Sequence, residues 1–147
     1  MGSLADKLTA PEVRRDVVEA CCNLVQSEVD SKRGFSGAAI KLGYRAVKAL
    51  KPGFVGGAVN GLLPEFADAM QPLYDKNDED AGKFASYITA NAAQTADLLL
   101  QVTDGKADRA NNATIKKTYS KLRGSAKDNV EAAVPGLANA LRPFLGE

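Results

Sequence analysis

The residues of this sequence best spaced to do chemistry are cations. Lys41, Arg45 and Lys48 stand at i, i+4 and i+7, so a helix carries them as one stripe. Lys116, Lys121 and Arg123 make a second basic cluster, in which Lys116 and Arg123 keep the spacing of Lys41 and Lys48, with Tyr44 and Tyr119 lying between. Stripes of this kind suit the phosphates of nucleic acid, anionic lipid heads or another polyanion. The same pattern also serves as a solvated helix face paired with acidic segments. The tyrosines then sit at the core edge with their hydroxyls reaching the surface.

Catalytic and metal chemistry find little footing. The chain has no His, which removes imidazole as general base, triad member or metal ligand. Glu19, Glu28 and Asp97 could supply carboxylates, but no spacing singles them out as an acid/base pair. Cys21 and Cys22 are adjacent, a poor geometry for an ordinary disulfide, and they fall mid-helix among Val and Leu. They read as buried structural thiols in a reducing compartment, which points to the cytoplasm. Asp75, Asn77 and Glu79 alternate as in a calcium loop, yet Asp80 stands where the turn needs Gly and Ser86 where a bidentate Glu belongs. Gly34 to Lys41 lacks the phosphate-loop spacing and the strand before it, and reads as a loop and N-cap. No catalytic, cofactor-binding or metal-ligating residue is therefore predicted, and the chain is expected not to be an enzyme.

The elements that position these residues are helical. A chain of 147 residues, 45% hydrophobic and 25% charged, suits a single domain over 1–147 with a core that needs no metal or disulfide. The first residues, Met1 to Asp6, show no signal-peptide pattern, Asp6 stands where a myristoylation motif wants Ser or Thr, and no run of 18 apolar residues predicts a membrane span. Thr9-Ala10-Pro11-Glu12 reads as a capping box opening a helix. That helix carries two adjoining apolar stripes, one through Val13, Val17 and Cys21, the other through Val18, Cys22 and Val25, and should end near Ser31 to Gly34. A second helix from Ser36 carries Ile40, Tyr44, Val47 and Leu50 until Lys51-Pro52-Gly53 breaks it. Pro52 suits the first turn of a third, on which Gly53, Gly57 and Gly61 predict a bare ridge for close helix packing. Pro64 is expected to open a further short helix that Pro72 bends or ends, followed by an acidic connector over 75–80. Further helices are expected near 81–89, 92–103, 112–123, 126–134 and 135–145. The result is an all-α bundle of about ten short helices, without strand alternation.

An internal repeat orders these elements. Leu63-Pro64-Glu65-Phe66-Ala67-Asp68-Ala69-Met70-Gln71-Pro72-Leu73 lies on Val134-Pro135-Gly136-Leu137-Ala138-Asn139-Ala140-Leu141-Arg142-Pro143-Phe144, and Ile40-Lys41-Leu42-Gly43-Tyr44 lies on Ile115-Lys116-Lys117-Thr118-Tyr119. The offset changes from 75 to 71 residues, implying a four-residue deletion in the second copy near the Gly-rich helix. Leu4 and Leu8 fall more loosely on Phe84 and Ile88. Tandem halves over roughly 3–76 and 83–147, packed about a pseudo-two-fold axis, are expected. The repeat also dissects the net charge of +1: residues 32–51 and 106–127 each carry +6, and 52–82 carry −5.

Ser3 to Arg14, Gly43 to Val55 and Lys117 to Ser125 together resemble a family of small all-helical bacterial proteins of unknown function. The resemblance spans most of the chain, implies a standalone bacterial cytoplasmic protein and transfers no functional residue. The sequence thus points first to a non-catalytic binding or interaction module of unknown partner, needing no cofactor. A second reading is polyanion binding, to nucleic acid or anionic lipid, through Lys41, Arg45, Lys48, Lys116, Lys121 and Arg123. A third is a carrier of apolar small ligands, since a symmetric bundle rich in Ala and Gly can leave a cavity between its halves.

Overall fold

The computed structural model describes residues 3–145 and, within them, all side chains except those of Phe35 and Ser36. Residues 146 and 147, the end of the second expected repeat half, and Met1 and Gly2 of the signal-peptide and myristoylation readings therefore lie outside the described residues. Among the described residues seven α-helices follow one another: α1 (Leu4–Thr9), α2 (Arg14–Ser31), α3 (Gly34–Lys48), α4 (Phe54–Lys76), α5 (Ala81–Ala90), α6 (Ala92–Arg109) and α7 (Ala113–Leu141), with a 3₁₀ turn at Arg142–Phe144. No strand occurs among the described residues, as the all-α expectation requires. Among the described residues no helix is long and apolar enough to cross a membrane.

Helices α2, α4, α6 and α7 form a four-helix arrangement in which α2 and α6 each pack on both α4 and α7. Helix α1 lies on α4, α5 on α7, and α3 covers α2, α4 and α7. The apolar core gathers at the end carrying α1 and α5. Leu4, Leu8, Val17, Ala67, Tyr74, Phe84 and Ile88 are all essentially inaccessible there, joined by Met70, Val134 and Leu141. The Tyr74 and Phe84 rings meet edge-on at 5.4 Å, and Lys7 Nζ donates to the Tyr74 hydroxyl. Gln71 Oε1 accepts from the Leu4 amide at 2.6 Å, which docks the start of α1.

Helix boundaries depart from the sequence reading in four places. The capping box belongs to α1: Ser3 Oγ accepts from the Asp6 amide and Asp6 accepts in return from the Ser3 amide, while Thr9 ends that helix and donates to the Ala5 carbonyl. Thr9 to Glu12 does not cap α2, whose N-cap, Val13, makes no side-chain bond. Helix α4 runs through both Pro64 and Pro72 instead of being reset by them. A proline inside a helix strands the carbonyl four residues back, and at Asn60 that carbonyl is recovered by Arg14, whose Nη2 donates to it at 2.9 Å while Nε donates to Asn60 Oδ1 at 2.6 Å. Helix α7 likewise continues through Gly124 and Pro135, merging the three short helices expected over 112–145; Pro135 lies exposed, with its ring outside the packed face.

The glycine ridge is the fourth correction. Gly53 is the N-cap residue of α4 at φ 74°, a left-handed conformation that favours Gly, and Gly57 and Gly61 face open space, with no atom within 4 Å of where a Cβ would stand. Glycine offers no area to bury, so α4 turns Phe54, Ala58 and Leu62 inward and leaves Gly57 outside and Gly61 exposed at the edge of the space they line. Close helix approach occurs elsewhere: a Cβ at Gly43 would lie 3.0 Å from Leu122 and Thr118 of α7, and one at Gly136 would lie 2.6 Å from Leu24 of α2.

Candidate functional site

The end of the bundle opposite the core is built differently. The C-terminal half of α2, all of α3, the first turns of α4, the last of α6 and the first of α7 carry abundant apolar side chains there, yet none of the described ones is fully buried. Val25, Val29, Ile40, Val47, Val55 and Leu122 converge without closing on one another. They line two adjoining cavities open to solvent, of about 380 and 330 Å³, whose shared walls are Val47, Phe54, Ala58, Leu62, Ile115 and Tyr119. The positions around the larger of the two that could fill it are small: Ala58, Gly61, Ala107 and Ala110. Gly61 stands at the mouth of the larger cavity, beside Lys106, which pairs with Glu65 at 2.8 Å.

Two polar notches flank this apolar space, each reached past a tyrosine. Tyr44 separates it from a notch of about 250 Å³ lined by Gln26, Val29, Asp30, Lys41, Arg45 and Lys48. Lys48 Nζ sits 5.2 Å from the centre of the Tyr44 ring. Gln26 Nε2 donates to Asp30 at 2.9 Å, and among the described residues none of Lys41, Arg45 and Lys48 lies within ion-pair distance of a carboxylate. Burial, with Cys22 and Asp30 nearby, holds the Tyr44 hydroxyl above its ordinary pKa, so it stays protonated.

The second notch, about 670 Å³, is lined by Asp104, Ala107, Asp108, Lys116, Tyr119, Ser120 and Arg123. Two of its four charges, Arg123 and Asp104, are paired. Arg123 grips Asp104 with two donors, Nε at 2.8 Å and Nη2 at 3.2 Å, and the Tyr119 hydroxyl donates to the same carboxylate and meets Thr103 Oγ1 at 2.8 Å. The Arg123 hydrogen bond, then that of Tyr119, holds Asp104 below the usual carboxylate range, while burial first and Asp104 second push the Tyr119 hydroxyl up.

The structure thus gathers Lys41, Arg45 and Lys48 in one notch and Lys116 and Arg123 in the other, and leaves Lys121 exposed outside both. Sequence reasoning missed Thr103 and Asp104, which share no motif with the α7 residues they bind; the one signal was an acid on a helix facing a basic stretch. Cys21, on α2, has its thiol pushed by burial, then by Cys22, from the ordinary 9.0 to about 11, so it offers no thiolate near neutral pH. A family model whose description is a family of unknown function matches residues 4–145. No curated protein and no solved structure matches the chain.

Proposed function

The chain belongs to the DUF6918 family, a family of unknown function, and we propose that this member is a non-catalytic carrier of apolar small molecules. The observation that carries this reading is the contrast between the two ends of one bundle: a dense core at α1 and α5, and an apolar cavity with few polar groups between α2, α3, α4, α6 and α7. A concave apolar site with a few convergent polar groups is what small-ligand binding requires. Free adjacent cysteines suit a reducing bacterial cytoplasm as its setting.

We further take the cavity to lie at the junction of two tandem halves. In support, α2 and α6 are each 18 residues long, and Leu4 and Leu8 of α1 are buried as Phe84 and Ile88 of α5 are. Leu63, Ala67, Met70 and Tyr74 are buried as Val134, Ala138, Leu141 and Leu145 are, at a constant offset of 71. The change in offset then falls at Ala49 to Gly53, the break between α3 and α4 for which continuous α7 has no counterpart.

Calorimetry and native mass spectrometry with dodecanol test the carrier reading. The wild type should take up the alcohol saturably. Gly61→Leu adds its side chain at the cavity mouth where the backbone leaves room, so it should abolish uptake while raising the thermal midpoint, because Leu exceeds Gly in helix propensity by up to about 1 kcal/mol. Absent saturable uptake by the wild type, or full uptake by the variant, would overturn the reading.

A further inference from the structure

The two notches have the same make-up except in charge. Aligned by the offsets of the repeat, 78 residues for α2 on α6 and 75 for α3 on α7, every residue lining one notch falls on a residue lining the other. Gln26 falls on Asp104, Asp30 on Asp108, Lys41 on Lys116, Tyr44 on Tyr119, Arg45 on Ser120 and Lys48 on Arg123. The second notch therefore balances two cations with two carboxylates and closes on itself through the Arg123 to Asp104 pair. The first holds three cations against Asp30 alone, because Gln26 occupies the place of Asp104 and its amide is turned to Asp30.

We infer that the ligand is a single-chain amphiphile with an anionic head, its alkyl chain in the apolar cavity and its head among Lys41, Arg45 and Lys48, past Tyr44. This rests on the carrier reading and specifies its ligand class. The shared walls make the path continuous: Val29 and Tyr44 line both the notch and the smaller cavity behind it. Three cations without carboxylate partners supply the charge complementarity, and the protonated Tyr44 hydroxyl and the Gln26 amide add donors beside them. A carboxylate and a phosphate monoester share this chemistry. The second notch, with two cations against two carboxylates, offers no equivalent excess, which gives the chain one direction of entry.

Calorimetry with dodecanol, dodecanoate, dodecyl phosphate and dodecyltrimethylammonium, all below their micellar concentrations, tests the inference. Both anions should bind at least tenfold tighter than dodecanol, and the cation weakest. Shortening the alkyl chain by two methylenes should weaken each roughly tenfold. Substituting Lys41, Arg45 and Lys48 together by Gln should bring the anions to the affinity of dodecanol without changing dodecanol itself. Gln26→Asp, which places a carboxylate among the cations as in the second notch, should do the same, whereas Lys116→Gln should change nothing. The relative strength of the two anions identifies the head group. If dodecanol binds but the anions gain nothing over it, or keep their advantage in the triple variant, the inference fails while the carrier reading stands; if no member of the series binds, both fail. Binding of nucleic acid that the triple variant loses, with dodecanoate unaffected, would overturn it in favour of polyanion recognition.

Discussion

At the scale of single residues, the chemistry of this chain is set by which polar groups have been given partners. Asp104 is claimed by Arg123 and Tyr119, whereas Gln26, at the matching position of the other notch, is turned to Asp30, and Lys41, Arg45 and Lys48 share that notch with no carboxylate within ion-pair distance among the described residues. The spacing of those three was legible because a helix makes i, i+4 and i+7 neighbours; their freedom from partners was not, because it depends on α2 and on a Gln at a position where the other notch has an Asp. Cys21 shows the opposite case, a reactive group disarmed by its surroundings. Burial raises its pKa from 9.0 to about 11. Below the lower value both folded and unfolded chains keep the proton; between the two the unfolded chain releases it and the folded chain does not, so folding stability falls as pH rises across that window. Urea midpoints of the wild type and Cys21→Ala should converge between pH 8 and 11 as the wild type loses more; parallel curves would show that the thiol is not held in its neutral form.

At the scale of elements, prolines account for most of the difference between the expected ten short helices and the seven found. Proline reads as a boundary because it removes an N–H and crowds the carbonyl one turn back. It ceases to be one where another part of the chain satisfies that carbonyl, as Arg14 does for Asn60. Such a partner is 46 residues away in sequence and invisible to local pattern. The helices without such interruptions, α2, α5 and α6, began or ended within a few residues of expectation, apart from the last turns of α6. The role assigned to Arg14 is testable by a cycle. Arg14→Met keeps an apolar stem and removes the donors, and should cost about 1 kcal/mol in urea unfolding. Pro64→Ala returns an N–H to Asn60, so Arg14→Met in that background should cost clearly less. Equal costs in both backgrounds would mean that Arg14 contributes only through its bond to the Asn60 side chain or through packing.

At the scale of the whole molecule, one sequence builds two ends of different density on the same four long helices. The dense end could be foreseen from large apolar residues at helical spacing, such as Leu63, Met70 and Leu141. The open end could not, since Val25, Val29, Ile40, Val47 and Leu122 keep the same spacing and differ only in facing glycines and alanines across the bundle. Local stability should follow this division. Apolar side chains that do not close on one another secure their helices less, so opening costs less free energy there. Amide hydrogen exchange should be fast in α3 and over Ala113–Leu122 and slow over Leu63–Tyr74, although the last segment lies on the same continuous helix as the cavity-lining Phe54 and Ala58. Saturation with dodecanoate at a hundred times its Kd stabilises the bound state by about 2.7 kcal/mol, and that gain should appear as protection in α3 and the start of α7 before it appears at Leu63–Tyr74. Uniform protection along α4 in the free protein, or slowing confined to the dense end on binding, would place the ligand outside the cavity and remove the link between its open packing and its use.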